Sequence, residues 1–245
     1  MDKIYYFFST SIGKNNFVTF GMIHLFLLIV AFLGSVIIVK AKKESRLFEI
    51  FIGSILLVQQ LTLYTWYIGG NYHFLKEGLP LFHCRIAIIM LIIGLILKND
   101  FMTKMGSYWG IFGSTSALIF PGLDPFAFPH ITQISYFIGH ILLLWGSVYL
   151  LFVKNIGMSK IEFKKVLIIT NIYHITIFVL NNIIGSNYAY MKSSPIGIGN
   201  SLNPFLYGFV VMTIFNMILS IEYIIINRIE NKGLEEYYEV ESLNM

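Results

Sequence analysis

Charge is scarce in this 245-residue chain. Asp, Glu, Lys and Arg make up 12% of it, about half of what a water-facing domain usually carries. A soluble globular surface is excluded on that ground, and 56% hydrophobic content excludes a disordered chain. There is one cysteine, Cys84, so neither an internal disulfide framework nor a CxxC metal site is available. Cys84, the histidines and the carboxylates lack the local spacing of a metal centre, so neither metal nor cofactor is expected. The formal charge of +4 does not form a basic nucleic-acid-binding stripe, because Lys and Arg sit between apolar blocks.

Those blocks dominate the chain. Seven can be read: Phe20–Val39, Leu47–Ile68, Leu79–Leu97, Thr103–Phe120, Ile131–Val153, Val166–Ile184 and Pro204–Ile226. Each is close to the ~20 residues needed to cross a bilayer core. An all-α polytopic membrane protein with seven transmembrane helices follows as the expected fold. The fourth block is diluted by Gly106, Gly110, Gly113 and Ser114–Ser116, small residues that suit close helix packing. Twelve Lys and Arg flank the ends of blocks one, three, five and seven, against four on the other side. The positive-inside rule then puts the N-terminus out and the C-terminus in. Residues 1–19 become an external segment, 20–226 a single membrane domain, and 227–245 an acidic, solvated cytoplasmic tail.

An internal repeat is visible at an offset of 116 residues. Gly69-Gly-Asn71-Tyr72 matches Gly185-Ser-Asn187-Tyr188, and the stretch around His24 matches the stretch around His140. Four spans separate the copies, so both share one orientation. A parallel 3+1+3 arrangement is expected, with repeat one at 17–97, a linker helix at 103–120 and repeat two at 131–226. His24 and His140 would then stand at comparable depth on opposite sides of the repeat axis.

The polar residues gather toward one end of the spans. Cys84 lies near the outer start of block three, between His83 and Arg85, and His140 lies about 14 Å into block five. Gln59, Gln60, Asn181 and Asn182 fall in outer halves, and Asn71, His73, Glu77, His130, Asn187 and Tyr188 in outer loops. His174, near mid-depth, is the exception. Glu49 and Glu222 are placed to snorkel to the inner interface. An outward-facing polar pocket is the simplest account, because membrane depth tolerates polar groups only where protein or water surrounds them.

A thiol beside a cation and several imidazoles permits nucleophilic acyl transfer through a thioester. Successive helical residues point about 100° apart, so His140 or His24 suits the base role better than His83. Arg85 is expected to stabilise a thiolate or bind a phosphate. His24, His83, His130, Asn71, Asn187 and Tyr188 are supporting or substrate-binding candidates, the Asn-Tyr loops serving as turn and interface anchors. Each has a plainer role available: a buried Cys as a small hydrophobe, a His as an interhelical hydrogen bond.

Leu79-Pro-Leu-Phe-His83-Cys84, Trp109-Gly-Ile-Phe-Gly113, Phe120-Pro-Gly-Leu-Asp124, Phe128-Pro-His130, Phe137-Ile-Gly-His140 and Gly185-Ser-Asn-Tyr188 through Pro195 recur in order over roughly Phe17 to Ile226. In these motifs the chain resembles the YwaF-type family of bacterial integral membrane proteins. That family has eukaryotic relatives described as membrane acyltransferases that build ether phospholipids. The resemblance implies a seven-span fold in the cell membrane and a catalytic pair at Cys84 and His140, acting on phospholipid or lysophospholipid. Arg85 departs from the acidic or neutral residue expected after the cysteine. A small-solute transporter or permease subunit is the rival reading, since parallel 3+1+3 repeats suit solute transport, and a lipid-binding assembly protein is a third.

Overall fold

The computed structural model describes residues 6–13, 17–70 and 72–243. Asn71 lies outside them. The described residues are helical with no strand. Seven long helices follow in order: α1 Met22–Ala41, α2 Arg46–Gly70, α3 His83–Leu97, α4 Asp100–Ile119, α5 Ile131–Phe152, α6 Lys160–Ile184 and α7 Pro204–Leu243. Five of them (α1, α2, α5, α6 and the Pro204–Glu230 part of α7) are long and apolar enough to cross a membrane, and α3 is a shorter apolar helix. The chain is a multi-pass membrane protein.

Local chemistry sets the helix ends. α6 begins six residues before the expected block, because Ser159 and Glu162 form a capping box. It ends at Gly185, whose φ of 66° is the left-handed conformation that suits a C-terminal glycine. α3 begins four residues after the expected Leu79. Pro80 holds Leu79 extended, and Phe82 remains extended at ψ 144°. Asn99 caps α4 by accepting from the Met102 N–H at 3.0 Å. Beyond Ile226 the backbone does not leave as an irregular tail. α7 continues to Leu243, with Asn227 Nδ2 donating to the Met158 carbonyl at 3.1 Å.

α5 is the central helix, with 72% of its apolar window buried against 11% for α1. It packs on α1, α2, α3 and α4. α3 and α4 form the tightest pair. A Cβ on Gly106 would stand 2.9 Å from the Leu91 backbone nitrogen, and one on Gly94 would stand 2.7 Å from Thr103 Cα. α1, α2, α6 and α7 carry exposed faces of Ile, Leu, Val and Phe. Such faces are stable against hydrocarbon and costly in water.

The repeat copies differ in environment. α1 is peripheral and lies directly against α5, with the His24 and Phe137 rings 6.2 Å apart. The basic end has its own ion cluster. Glu49 is buried between Arg46 at 2.9 Å and Lys154 at 2.7 Å and accepts from Tyr149 at 3.2 Å, so it does not snorkel outward. Glu222 does not snorkel fully either: its Oε2 is buried without a hydrogen-bond partner.

Candidate functional site

Three consecutive residues at the start of α3 serve three different walls, as the 100° step of a helix requires. His83 turns toward α6, where its Nε2 lies 2.7 Å from Nε2 of His174. One nitrogen of that pair carries the proton and the other accepts it. The His83 ring stacks on Phe215 at 4.4 Å and meets Trp109 edge-on at 5.3 Å. Arg85 turns toward α2 and the preceding loop. It donates to the carbonyls of Glu77 at 2.5 Å and Leu79 at 3.1 Å, and to Tyr67 Oη at 3.2 Å. Its cation also lies 5.1 Å from the Tyr67 ring and 5.2 Å from the Phe82 ring. Cys84, between them, lines a cavity of about 390 Å³.

His140 reaches the same cavity from α5. Its Nδ1 lies 2.7 Å from the Tyr136 carbonyl, one helical turn back. A carbonyl only accepts, so Nδ1 carries the proton and Nε2 holds a free lone pair. That Nε2 is buried and has no hydrogen-bond partner. The imidazole is 95% buried and packs on the Tyr136 ring, centroids 4.1 Å apart. A buried acceptor without a partner is costly and calls for an explanation, of which a catalytic role is one.

Two polar chains extend along the walls. Gln60 Nε2 donates to Gln59 Oε1 at 2.9 Å, and Gln59 Nε2 donates to Ser135 Oγ at 2.6 Å. This leaves Gln60 Oε1 as a second buried acceptor without a partner. Gly139 makes room for the relay: a Cβ there would stand 3.3 Å from the Gln59 amide. On the other wall, Arg85 donates to Tyr67 Oη, which donates to Asp124 at 3.3 Å.

Asp124, Glu77, Gly122 and Tyr190 also line a second, more polar cavity of about 450 Å³, together with His73 and Lys76. The two cavities therefore share a boundary. In the loops, burial pushes the Asp124 carboxyl up, with the Arg85 charge opposing. Burial also pushes the Glu77 carboxyl up, and the charge of Asp124 adds to it.

Of the residues expected at the site, Cys84, His140, Arg85 and His83 line one cavity. Four others are absorbed by the scaffold. His24 accepts from the Phe20 N–H at 2.8 Å and donates to the Leu118 carbonyl at 2.7 Å, so both ring nitrogens are used. His130 caps α5, accepting from the Thr132 N–H at 3.3 Å, and its Nε2 donates to the Ser9 carbonyl at 2.9 Å. Its ring stacks on Phe126 at 4.0 Å. Asn187 ties its own loop, taking the N–H groups of Lys192 and Ser193. Tyr188 is fully buried. It accepts from the Leu79 N–H at 3.0 Å and donates to the Leu75 carbonyl at 3.1 Å, which clasps the loop leading to Cys84.

Sequence reasoning placed Gln59, Gln60 and Glu77 at the polar end without giving them a role, and left Tyr67, Tyr136 and Asp124 out of the site. The paired glutamines inside an apolar block were a signal in themselves: two amides at membrane depth need partners. Nothing local marks the tyrosines, which become site residues only through helix packing.

No curated protein and no solved structure matches the chain. A family model does, over residues 7–226, a span that includes every residue lining the cavity. The chain therefore belongs to the TMEM164 family of membrane proteins.

Proposed function

We propose that the protein is a membrane acyltransferase that moves a fatty acyl group between lipids through a thioester on Cys84. The observation that carries the reading is the free Nε2 of His140, its tautomer set by the Tyr136 carbonyl, in the same cavity as the only thiol of the chain.

The steps balance without a cofactor. His140 Nε2 takes the Cys84 proton as sulfur attacks the ester carbonyl of a phospholipid. The tetrahedral intermediate expels the lysolipid oxygen, which leaves with that proton, and a thioester remains. The hydroxyl of a lysophospholipid acceptor then attacks the thioester and gives its proton to His140. Sulfur leaves and recovers the proton. The Arg85 guanidinium, pinned by two carbonyls and Tyr67, supplies a fixed positive charge on the wall of a site where negative charge develops. The resemblance to the YwaF-type proteins and their ether-phospholipid acyltransferase relatives supports the same pair.

In this reading α1–α7 are seven spans of the cell membrane in a parallel 3+1+3 order, with the N-terminus outside. α3 rises about 22 Å and relies on the extended Leu79–Phe82 stretch to complete its crossing. The cavity then opens to the outer leaflet. His83 and Phe215, which line it, are backed by the rings of His174 and Trp109, and this packed aromatic layer favours lipid chemistry over solute transport, which would need a polar path through it.

The test is hydroxylamine-sensitive labelling of purified protein by a phospholipid with a fluorescent acyl chain. Wild type is expected to label and Cys84→Ala to stay dark. Equal labelling of both removes the thioester.

A further inference from the structure

We infer that the acyl chain enters the cavity sideways from the bilayer, between α4 and α7, and that Gly113 is the residue that limits which chains fit. The inference rests on the acyl-transfer reading and adds a path and a specificity-determining position to it.

Two walls of the cavity are helix faces. α4 contributes Phe112, Gly113 and Ser116, with Phe120 just beyond its end, and α7 contributes Tyr207, Val211 and Phe215. Toward the basic end the Phe112 and Phe215 rings meet at 6.2 Å, edge to face, and close that wall. Toward the loop end, Phe120 is 52% exposed and Ile196 is 49% exposed, although both line the cavity. A residue that lines a cavity and is also half exposed stands at its mouth. This mouth is apolar, so it opens comfortably to hydrocarbon and poorly to water. The neighbouring polar cavity, with Lys76, Glu77 and Asp124, provides a separate wet approach. A lipid lying in a leaflet needs both, because its chains and its headgroup require opposite surroundings.

The glycines of α4 single out one position. Gly106 and Gly110 are packing glycines: a Cβ would stand 2.9 Å from the Leu91 backbone on the first and 2.8 Å from Leu143 Cδ1 on the second. At Gly113 a Cβ would meet nothing within 4 Å, and the residue lines the cavity. The helix does not need glycine there, since alanine would favour the helix by about 1 kcal/mol. What glycine preserves is width. A large side chain would project into the passage, and the fold would bear it because no neighbour is displaced.

The experiment compares wild type, Gly113→Ala and Gly113→Trp in lipid nanodiscs. The first readout is the rate of Cys84 acylation by p-nitrophenyl palmitate and p-nitrophenyl butyrate. Gly113→Trp is expected to slow palmitate by at least about tenfold, the scale on which apolar sites discriminate by chain size, and to leave butyrate near wild type. Gly113→Ala should slow palmitate less than Gly113→Trp does and leave butyrate near wild type. Equal slowing of the two esters by Gly113→Trp, or no slowing of palmitate, overturns the assignment. The second readout does not need chemistry at sulfur. A phosphatidylcholine with a diazirine in mid-chain is photocrosslinked to the Cys84→Ala protein. Adducts are expected on α4 and α7 facing the passage, and Gly113→Trp should remove them. Adducts elsewhere, or adducts undiminished by tryptophan, refute the chain path. Absence of Cys84 acylation in wild type with adducts intact refutes acyl transfer alone.

Discussion

Replacing His140 tests the proton inventory of the site most directly. Its Nδ1 is committed to the Tyr136 carbonyl at 2.7 Å, and only Nε2 remains for chemistry. His140→Ala removes that acceptor and one hydrogen bond. The lost bond costs about 1 kcal/mol of stability, and the space left by a buried ring adds to that, so unfolding in detergent must be measured alongside. General-base assistance is typically worth about 10²–10⁴ in rate, or about 3–5 kcal/mol of barrier. The rate of single-turnover acylation of Cys84 by an excess of fluorescent phospholipid, measured at a temperature where the variant is still folded, should therefore fall by that factor. Two features separate a base from a structural role. His140→Gln retains a polar side chain but cannot hold the proton, so it should be as slow as alanine. Raising the pH to ionise more thiol should recover part of the acylation rate of both variants, because a preformed thiolate needs no base. Acylation by His140→Ala within about twofold of wild type, at matched folding, would refute the assignment on this magnitude argument.

Two further outcomes concern the scaffold. Gly106→Ala should destabilise the protein by about 1–3 kcal/mol, because its Cβ would press on the Leu91 backbone, which cannot step aside as a side chain can; thermal unfolding in detergent measures it, and a melting point at or above wild type contradicts the close α3–α4 approach. His130 gives a pH signature. Burial holds its pKa below the usual value, so its contribution is fully present above about pH 6.5 and is lost as pH falls through the lower folded value. His130→Asn keeps an acceptor at the α5 N-cap and removes the titration, so its melting temperature should fall less steeply on acidification than that of wild type. A steeper fall in the variant would reverse the sign.

Helix content and the positions of most helices are written in local chemistry, which is why they can be read without coordinates. Apolar runs of the right length, the Ser159–Glu162 capping box and Gly185 act within a few residues of themselves. Where two local signals compete the reading slips: apolar Leu79–Phe82 looks like helix, but Pro80 keeps it extended. At the other end of the membrane domain, polar Asn227 looks like the start of a loose tail, but its amide docks on Met158 and the helix runs on.

That Cys84 and His140 line one cavity was legible only in part: the residues alone left His140 and His24 both open as the partner of the thiol, and the resemblance to the YwaF-type family singled out His140. Which histidines are spent on structure was not. His24, His130 and His140 are the same residue type near the same end of the molecule. Only the packing decides that the first two have both nitrogens occupied while the third keeps one free. The same holds for the glycines of α4, two pressed against neighbours and one facing open space. Sequence alone determined that the chain lives in a bilayer and carries a thiol there, since composition and run length set the solvent a helix requires. Tertiary structure decided which polar atoms remain unpaired, since a hydrogen bond depends on two groups that are far apart in the chain and close only in the fold.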